Sequence, residues 1–448
     1  MPTARSAAAP GFESLRATWT AVLLGVGTGW IIGAFAQTVP GLLQSTTAPP
    51  PPVPSASLAL SAALAALAAG VRIPQQFALW VYRSAVRGDP TTPVGSPRAV
   101  EWDAPERSFC WTVLSVLTFV CGFCVGLLAM WQALVARGYS LLHAWFVWSD
   151  PALALLAWLT AFLAVIWPVV LLGVAFSCLC HLGDTSHRTG SLIAWSLVGA
   201  SAGLLIAARL ASRGFSTHFV QIGTTIPFFT AALVAALANR EGAAEISQER
   251  AGPVLERNDR RSRRLRTAAV ALAALGALIL AAWTHQLGGQ AVGVLLLGGL
   301  GLGALASGGR VAGDHSEILF GRAAAFAGLL AGAGALLGGG GDSVIPIAMA
   351  IAGAVSLGHA LELGRTSVSM HGCGRCIPVR VMARFLVAGA FMSLVGPALV
   401  HRLGFEVTLA SAGLALVGLG SILSMREPHA GRRLFRRRIV STLLNRPS

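Results

Sequence analysis

The chain has 448 residues, of which 55% are hydrophobic and only 11% charged, and its formal net charge is +15. A soluble protein carries roughly 25% charged residues, so this composition excludes an ordinary soluble enzyme and predicts a chain that crosses a bilayer repeatedly. The seven cysteines are an odd number and lie mostly in or beside apolar segments, which argues against a disulfide framework.

Twelve apolar segments follow one another along the chain, most of them close to the roughly 20 residues that one spanning helix needs. The longest polar stretch, 239–266, follows the sixth segment and is rich in arginine. We therefore predict an all-α integral membrane protein with a six-helix half at 1–238, a basic linker at 239–266 and a second six-helix half at 267–425. The segments cover residues 17–40, 56–82, 109–136, 150–178, 190–212, 216–238, 267–286, 288–306, 318–338, 342–362, 380–401 and 407–425.

Arginine placement predicts the orientation. If the N-terminus lies inside the cell, the connections after the even-numbered segments hold most arginines, and the other side receives only Arg137, Arg209, Arg213 and Arg402. By the positive-inside rule, both termini are expected in the cytoplasm, in a cytoplasmic (inner) membrane. Because the arginines follow topology, they do not indicate a nucleic-acid partner. The tail 426–448 reads as a basic amphipathic helix, expected to contact anionic lipid headgroups.

Three glycines of the fifth segment, Gly190, Gly199 and Gly203, have the spacing G-x8-G-x3-G. Such small residues let helix backbones approach closely, so this face is predicted to pack on a neighbouring helix. The spacing and the six-plus-six layout resemble the major facilitator superfamily of transporters. That family's antiporter signature continues with a proline, where this chain has Leu204, so antiport is not implied.

The loop before the ninth segment also resembles the superfamily. Gly309 to Asp314, followed by Gly321-Arg322, is similar to its loop motif, although an extra glycine precedes the aspartate and the loop at 87–98 in the first half does not match. In the family, that aspartate and basic partners latch the cytoplasmic gate. The resemblance therefore implies a latch formed by Asp314, Arg322, Glu362, Arg365 and Arg384.

A looser similarity, over 168–181 and 189–208, is to the membrane half of fused facilitator and spermidine-synthase proteins. The catalytic half of those proteins is not found after Met425, so no enzyme activity is predicted from it. A facilitator-type transporter holds its substrate near the midplane, between helices one, four, seven and ten. The polar and aromatic candidates on those helices are Trp30, Gln37, Trp158, Trp167, Trp283, His285, Gln286, Asp342 and His359.

Thiols and imidazoles occur in two connections that are equivalent in a six-plus-six fold. The groups are Cys178, Cys180 and His181 after the fourth segment, and His371, Cys373 and Cys376 after the tenth. Thiolate and imidazole can bind zinc, but the spacing within each half is incomplete. We therefore predict reduced thiols and no metal or cofactor.

We predict a secondary transporter that moves an unidentified small solute by alternating access. The apolar, aromatic cavity helices favour a hydrophobic or amphipathic solute, and a polar cavity between the halves would support this reading. One alternative is a non-transporting membrane scaffold with the same fold, whose halves would meet in a collapsed apolar interface. A membrane-embedded enzyme is the less favoured alternative, because it needs polar groups converging at one membrane face.

Overall fold

The computed structural model describes residues 11–43, 54–87, 107–145, 149–184, 189–242, 260–287, 290–307, 316–337, 344–371 and 377–424. Within these ranges the chain forms fourteen helices and no strand. The helices are α1 (Gly11–Leu43), α2 (Ser55–Arg87), α3 (Arg107–Gly126), α4 (Leu128–Trp145), α5 (Asp150–Asp184), α6 (Thr189–Ser212), α7 (Thr217–Gly223), α8 (Thr225–Gly242), α9 (Arg260–Leu287), α10 (Gln290–Ser307), α11 (Ser316–Leu337), α12 (Val344–His371), α13 (Ile377–Leu403) and α14 (Phe405–Ser424).

The predicted all-α membrane fold is confirmed. In the described part of the chain, ten spans are long and apolar enough to cross a membrane, and the bent pair α3–α4 adds an eleventh. Helix α10 is apolar over Val292–Ser307, which is shorter than the ten spans. Each of the twelve predicted apolar segments therefore corresponds to one helix or to one pair of consecutive helices.

Two predicted segments contain a one-residue interruption of the helix, and only the first of them bends sharply. The third bends by 56° between α3 and α4, directly after Gly126, and its helical structure extends to Trp145. The sixth begins as the seven-residue helix α7, which ends at Gly223. The ring of Pro227 would clash with the carbonyl of the residue four positions earlier, which is Gly223, and this clash accounts for the interruption of the helix at Thr224.

The basic linker is shorter than predicted. Helix α8 continues to Gly242, and α9 begins at Arg260, so the arginines from Arg260 to Arg266 belong to the first two turns of a spanning helix. Arginine has good intrinsic helix propensity, and its long side chain can reach the polar interface while the helix enters the bilayer.

The buried apolar residues form one large cluster in each half. The first joins α1, α2, α3, α4, α5, α6 and α8, and the second joins the six helices from α9 to α14. Within the first half, α1 and α6 are in backbone contact: a Cβ atom added at Gly29 would lie 2.6 Å from the carbonyl carbon of Ala200, and one at Gly203 would lie 2.7 Å from the nitrogen of Trp30. Only glycine fits at such a crossing.

The two ends of the bundle differ in charge. We call the end where α1 and α6 begin the basic end, because most arginines with described side chains lie toward it: Arg16, Arg72, Arg263, Arg264, Arg266, Arg322, Arg365 and Arg384, whereas Arg137, Arg209, Arg213 and Arg402 lie toward the opposite end. Arg16 there donates a 3.3 Å hydrogen bond to the carbonyl of Leu237 at the end of α8. The opposite end carries the turns between α6 and α7 and between α13 and α14.

Candidate functional site

The two halves meet mainly through two helix pairs, α2 with α13 and α6 with α10. Small residues make both contacts close. A Cβ atom added at Gly389 of α13 would lie 3.4 Å from the Leu64 side chain, and one added at Gly301 of α10 would lie 3.0 Å from the backbone nitrogen of Val198. The candidate site is this interface, because it is where helices of the two halves meet.

A buried ion pair lies at the end of α12 that faces the first half. The Arg365 guanidinium donates two hydrogen bonds to the Glu362 carboxylate, of 2.9 Å from Nε to Oε2 and 2.7 Å from Nη2 to Oε1. The Glu362 side chain is 5% exposed and that of Arg365 is 14% exposed. A bidentate Arg–carboxylate pair is the geometry in which a buried charge is best compensated.

This ion pair touches the first half at Gly190, in the first turn of α6. A Cβ atom at Gly190 would lie 2.6 Å from Cδ of Glu362 and 2.7 Å from Nη2 of Arg365. The absent side chain therefore makes room for the pair. The N-terminus of a helix carries partial positive charge, so the first turn of α6 is a favourable place for the Glu362 carboxylate.

An apolar cluster adjoins this contact. Val71 of α2, Cys180 of α5 and Ala383 of α13 are buried together, with Ile193, Met382 and Leu386 packed on them. The Cys180 thiol also donates a 4.0 Å sulfur–sulfur contact to Met382. We call the ion pair with Gly190 and this apolar cluster the basic-end closure, because both join helices of opposite halves at that end.

Of the tryptophans on the predicted cavity helices, three engage other helices of their own half. Trp30 packs against α6 and α7, with Ala207 and Val220 in its cluster. Trp158 donates a 3.0 Å hydrogen bond to the Ser61 hydroxyl of α2. Trp283 is 1% exposed and meets Phe405 edge to face at 5.1 Å.

Trp167 lies on the outer surface of the bundle. Its side chain is 59% exposed, and it contacts Trp131 of α4 at a ring distance of 6.3 Å. The four tryptophans are predicted pathway residues, and among the described contacts three pack within their own half and one lies on the outer surface.

The remaining pathway candidates differ in position. Gln37 is partly buried and donates a 3.4 Å hydrogen bond to the Ala207 carbonyl of α6. His359 is partly exposed on α12, one turn before Glu362. His285 and Gln286 are exposed at the opposite end of the bundle, where Gln286 borders a cavity of about 330 Å³ against residues 403–407. Asp342 lies outside the described residues.

The predicted latch residues do not form one group in the described part of the chain. Glu362 and Arg365 pair with each other, whereas Arg384 is exposed on α13. Arg322 is exposed and borders a surface cavity of about 390 Å³ with Ser421 and Ser424, between α11 and α14. Asp314 lies outside the described residues.

The predicted glycine face of α6 is divided between two partners. Gly199 and Gly203 lie against α1, and Gly190 lies against the ion pair of α12. Among the possible zinc ligands, Cys178 is partly buried and Cys180 is buried in the basic-end closure. Cys373, Cys376 and the side chains of His181 and His371 lie outside the described residues, as does the tail 426–448. The described side chains form no cluster of three that could hold a metal ion.

A polar contact that was not predicted joins α4 to α7. Gln221 donates a 2.7 Å hydrogen bond to the side-chain oxygen of Gln132, and both residues are buried. Only a weak feature of the sequence could have predicted this contact. Each glutamine is isolated in an apolar segment, and a buried amide in a membrane needs a hydrogen-bond partner.

The architecture has a solved counterpart. The proton:xylose symporter XylE of the major facilitator superfamily, bound to 6-bromo-6-deoxy-D-glucose, superposes with a TM-score of 0.53 over 93% of this chain and 95% of that chain. The chain has the major facilitator fold. The two sequences are 13% identical, so the likeness concerns the fold alone. No protein-family model matches the facilitator-fold chain, and neither does any curated protein sequence.

Proposed function

We propose that this protein is a facilitator-type secondary transporter that moves a small solute by rocking its two halves. The observation that carries the proposal is the basic-end closure. Its ion pair belongs to the second half, and Gly190, against which the ion pair packs, belongs to the first. A contact of this kind can separate without disrupting the apolar core of either half, as alternating access requires.

Separation of the halves is physically feasible because the closure is small and partly polar. The Glu362–Arg365 pair is internal to α12, three residues apart, so both charges stay compensated when α12 leaves α6. The pair would then exchange contact with Gly190 for contact with water. That exchange lowers the cost of opening relative to an ion pair shared between the halves.

The solute is proposed to be uncharged or amphipathic. Three of the four tryptophans on the predicted cavity helices pack within a half, and the described interface offers few ionisable groups besides Glu362, Arg365 and His359. We propose His359 and Gln37 as pathway residues. His359 lies one turn from the ion pair, on the helix that forms the closure, and Gln37 is a partly buried amide on α1.

We also propose that the basic end faces the cytoplasm of a cell whose inner membrane holds the protein. The arginine asymmetry supports this orientation by the positive-inside rule. The tail 426–448 is proposed to contact anionic lipid headgroups on the same side. No enzyme activity is proposed, because the described residues bring together no set of polar groups suited to catalysis at either end.

The test is thermal unfolding of the purified protein in detergent, against sugars, polyols, drugs and lipophilic cations. A ligand that binds only the folded protein raises the melting temperature in a saturable manner. A hit that weakens in His359→Ala or Gln37→Leu but persists in the surface variant Trp167→Phe supports the proposal. If no solute shifts the melting temperature of a well-folded sample, a membrane scaffold is the better interpretation.

A further inference from the structure

The first half contains two spans in which the helix is interrupted, one bent by 56° and one within Thr217–Ala238, and the equivalent described helices of the second half have no interruption. The breaks lie between α3 and α4, at Leu127, and between α7 and α8, at Thr224. The equivalent helices of the second half, α11 and α14, are each continuous over 22 and 20 residues. Discontinuous membrane helices are common where a protein builds a binding site, because the break frees polar groups.

A buried polar contact joins the helices that follow and precede these interruptions, α4 and α7. Gln132 lies one turn into α4 and Gln221 lies near the end of α7, and the 2.7 Å hydrogen bond between their side chains joins the two helices. Trp30 of α1 is the third member, because its ring would meet a Cβ atom at Gly223, two residues after Gln221, at 2.8 Å. We group these three side chains, on α1, α4 and α7, as one polar cluster on the basis of these contacts.

Two hydrogen-bond donors in this cluster have no partner among the described residues. They are the indole Nε1 of Trp30 and the amide Nε2 of Gln132. The residues are 9% and 4% exposed, and Gln221 is 3% exposed. Tyr139, two turns along α4 from Gln132 and 2% exposed, has a buried hydroxyl that is also unpaired.

Unpaired buried donors are costly, at about 1–3 kcal/mol each, so a membrane protein that needs only packing here would use leucine or phenylalanine. The Gln132 oxygen already accepts from Gln221, so the free groups of Trp30 and Gln132 are N–H donors. Their ligand must therefore present an oxygen that accepts hydrogen bonds. Trp30, Gln132 and Gln221 are neutral, which favours a neutral oxygen over an anionic one.

We propose that Trp30 and Gln132 form a binding site, separate from the pathway between the halves, for the oxygen of a small neutral molecule. The oxygen is a hydroxyl or carbonyl of a polar solute, or a water molecule. The site lies wholly within the first half, on α1, α4 and α7, so it persists while the halves rock. Its occupant links α4 and α7 to α1.

The test observes the indole proton of Trp30 by NMR, in full-length protein labelled with 15N-tryptophan in detergent micelles. The resonance is assigned by its loss in Trp30→Phe. If that variant does not fold, the other Trp→Phe variants assign it by elimination. The reference is Trp158, whose indole donates to Ser61 at 3.0 Å.

We expect the indole proton of Trp30 to resonate downfield, as the hydrogen-bonded indole proton of Trp158 does. One of two further observations then identifies the occupant. A cross-peak to the water resonance identifies water as the occupant. A saturable shift on titration with dimethyl sulfoxide or glycerol, without that cross-peak, identifies a solute oxygen. In Gln132→Leu the intensity of the water cross-peak, or the affinity for the titrated probe, should fall about three- to tenfold, because one of the two donors is lost.

The control is Ser61→Ala, which should move the Trp158 resonance and leave that of Trp30 in place. The proposal is overturned if the Trp30 proton resonates as a free indole, gives no water cross-peak and does not respond to either probe. It is equally overturned if Gln132→Leu leaves the water cross-peak of Trp30, or the affinity for the titrated probe, unchanged, since the two donors would then not share an occupant.

Discussion

Replacing Gly190 by alanine should open the basic end of the molecule. The added Cβ atom would lie 2.6 Å from Cδ of Glu362, whereas non-bonded carbon atoms rest about 3.5 Å apart or more. The ion pair must therefore move away from α6 by about 1 Å. Both charged groups are held by α12, so the displacement pushes that whole helix, and the second half with it, away from α6.

The size of the effect follows from the cost of overpacking, about 1–3 kcal/mol for an added methyl-sized group in a tight site. This penalty acts on the closed state alone, because the ion pair leaves Gly190 when the halves separate. A difference of about 1–3 kcal/mol changes the ratio of closed to open molecules by roughly 5- to 150-fold. Gly190→Leu should shift the ratio further toward the open state.

The assay is pulsed electron paramagnetic resonance between spin labels on cysteines placed at Leu237 and Arg322, in a background without the native cysteines. Both positions are exposed near the basic end, one in each half. Gly190→Ala should move the distance distribution to longer values. The matched control is Gly353→Ala in α12, where the added Cβ atom meets nothing within 4 Å.

The reasoning is refuted if Gly190→Ala and Gly190→Leu both leave the distribution as in the wild type while the protein remains folded. That outcome would mean that the contact between Gly190 and the ion pair does not hold the halves together.

Three further changes test other parts of the structure. Arg365→Met should lower stability by about 3–5 kcal/mol because it leaves the Glu362 carboxylate buried without compensation, and the double variant Glu362→Leu/Arg365→Met should recover most of the loss in thermal unfolding. Ser61→Ala leaves the Trp158 indole unpaired and should cost about 1–3 kcal/mol, and an unchanged melting temperature would contradict the hydrogen bond. Gly203→Leu forces α1 away from α6, so we expect no monodisperse protein by size-exclusion chromatography.

The order of the apolar helices could be predicted from the sequence because bilayer thickness sets a minimum length for each apolar segment. Of the twelve predicted segments, ten are long and apolar enough to span in the described part of the chain, the bent pair α3–α4 adds an eleventh, and α10 is shorter. The break at Gly223 was also accessible in principle, since Pro227 stands in the sixth segment. The bend after Gly126 was not, because glycine is common in membrane helices and only the contacts of α4 with its neighbours determine whether a helix bends there.

The candidate site was less predictable for a geometric reason. Successive residues of a helix point about 100° apart, so the choice of cavity helices says little about which side chains face the interface. Trp283 and Trp30 lie on predicted cavity helices, yet both point into their own half. Conversely, Glu362 was assigned to a latch through a loop resemblance, and the structure places it against Gly190, which was predicted only as a packing residue.

The backbone contact between α1 and α6 has a consequence for how such a sequence can diverge. What the fold requires there is the absence of side chains at a few spaced positions, whereas the outward-facing leucines and phenylalanines meet only lipid and can be exchanged for other apolar residues. Two chains that keep the spacing and differ nearly everywhere else would retain the same architecture. Three-dimensional likeness should therefore outlast sequence identity in this protein, as the superposition at 13% identity illustrates.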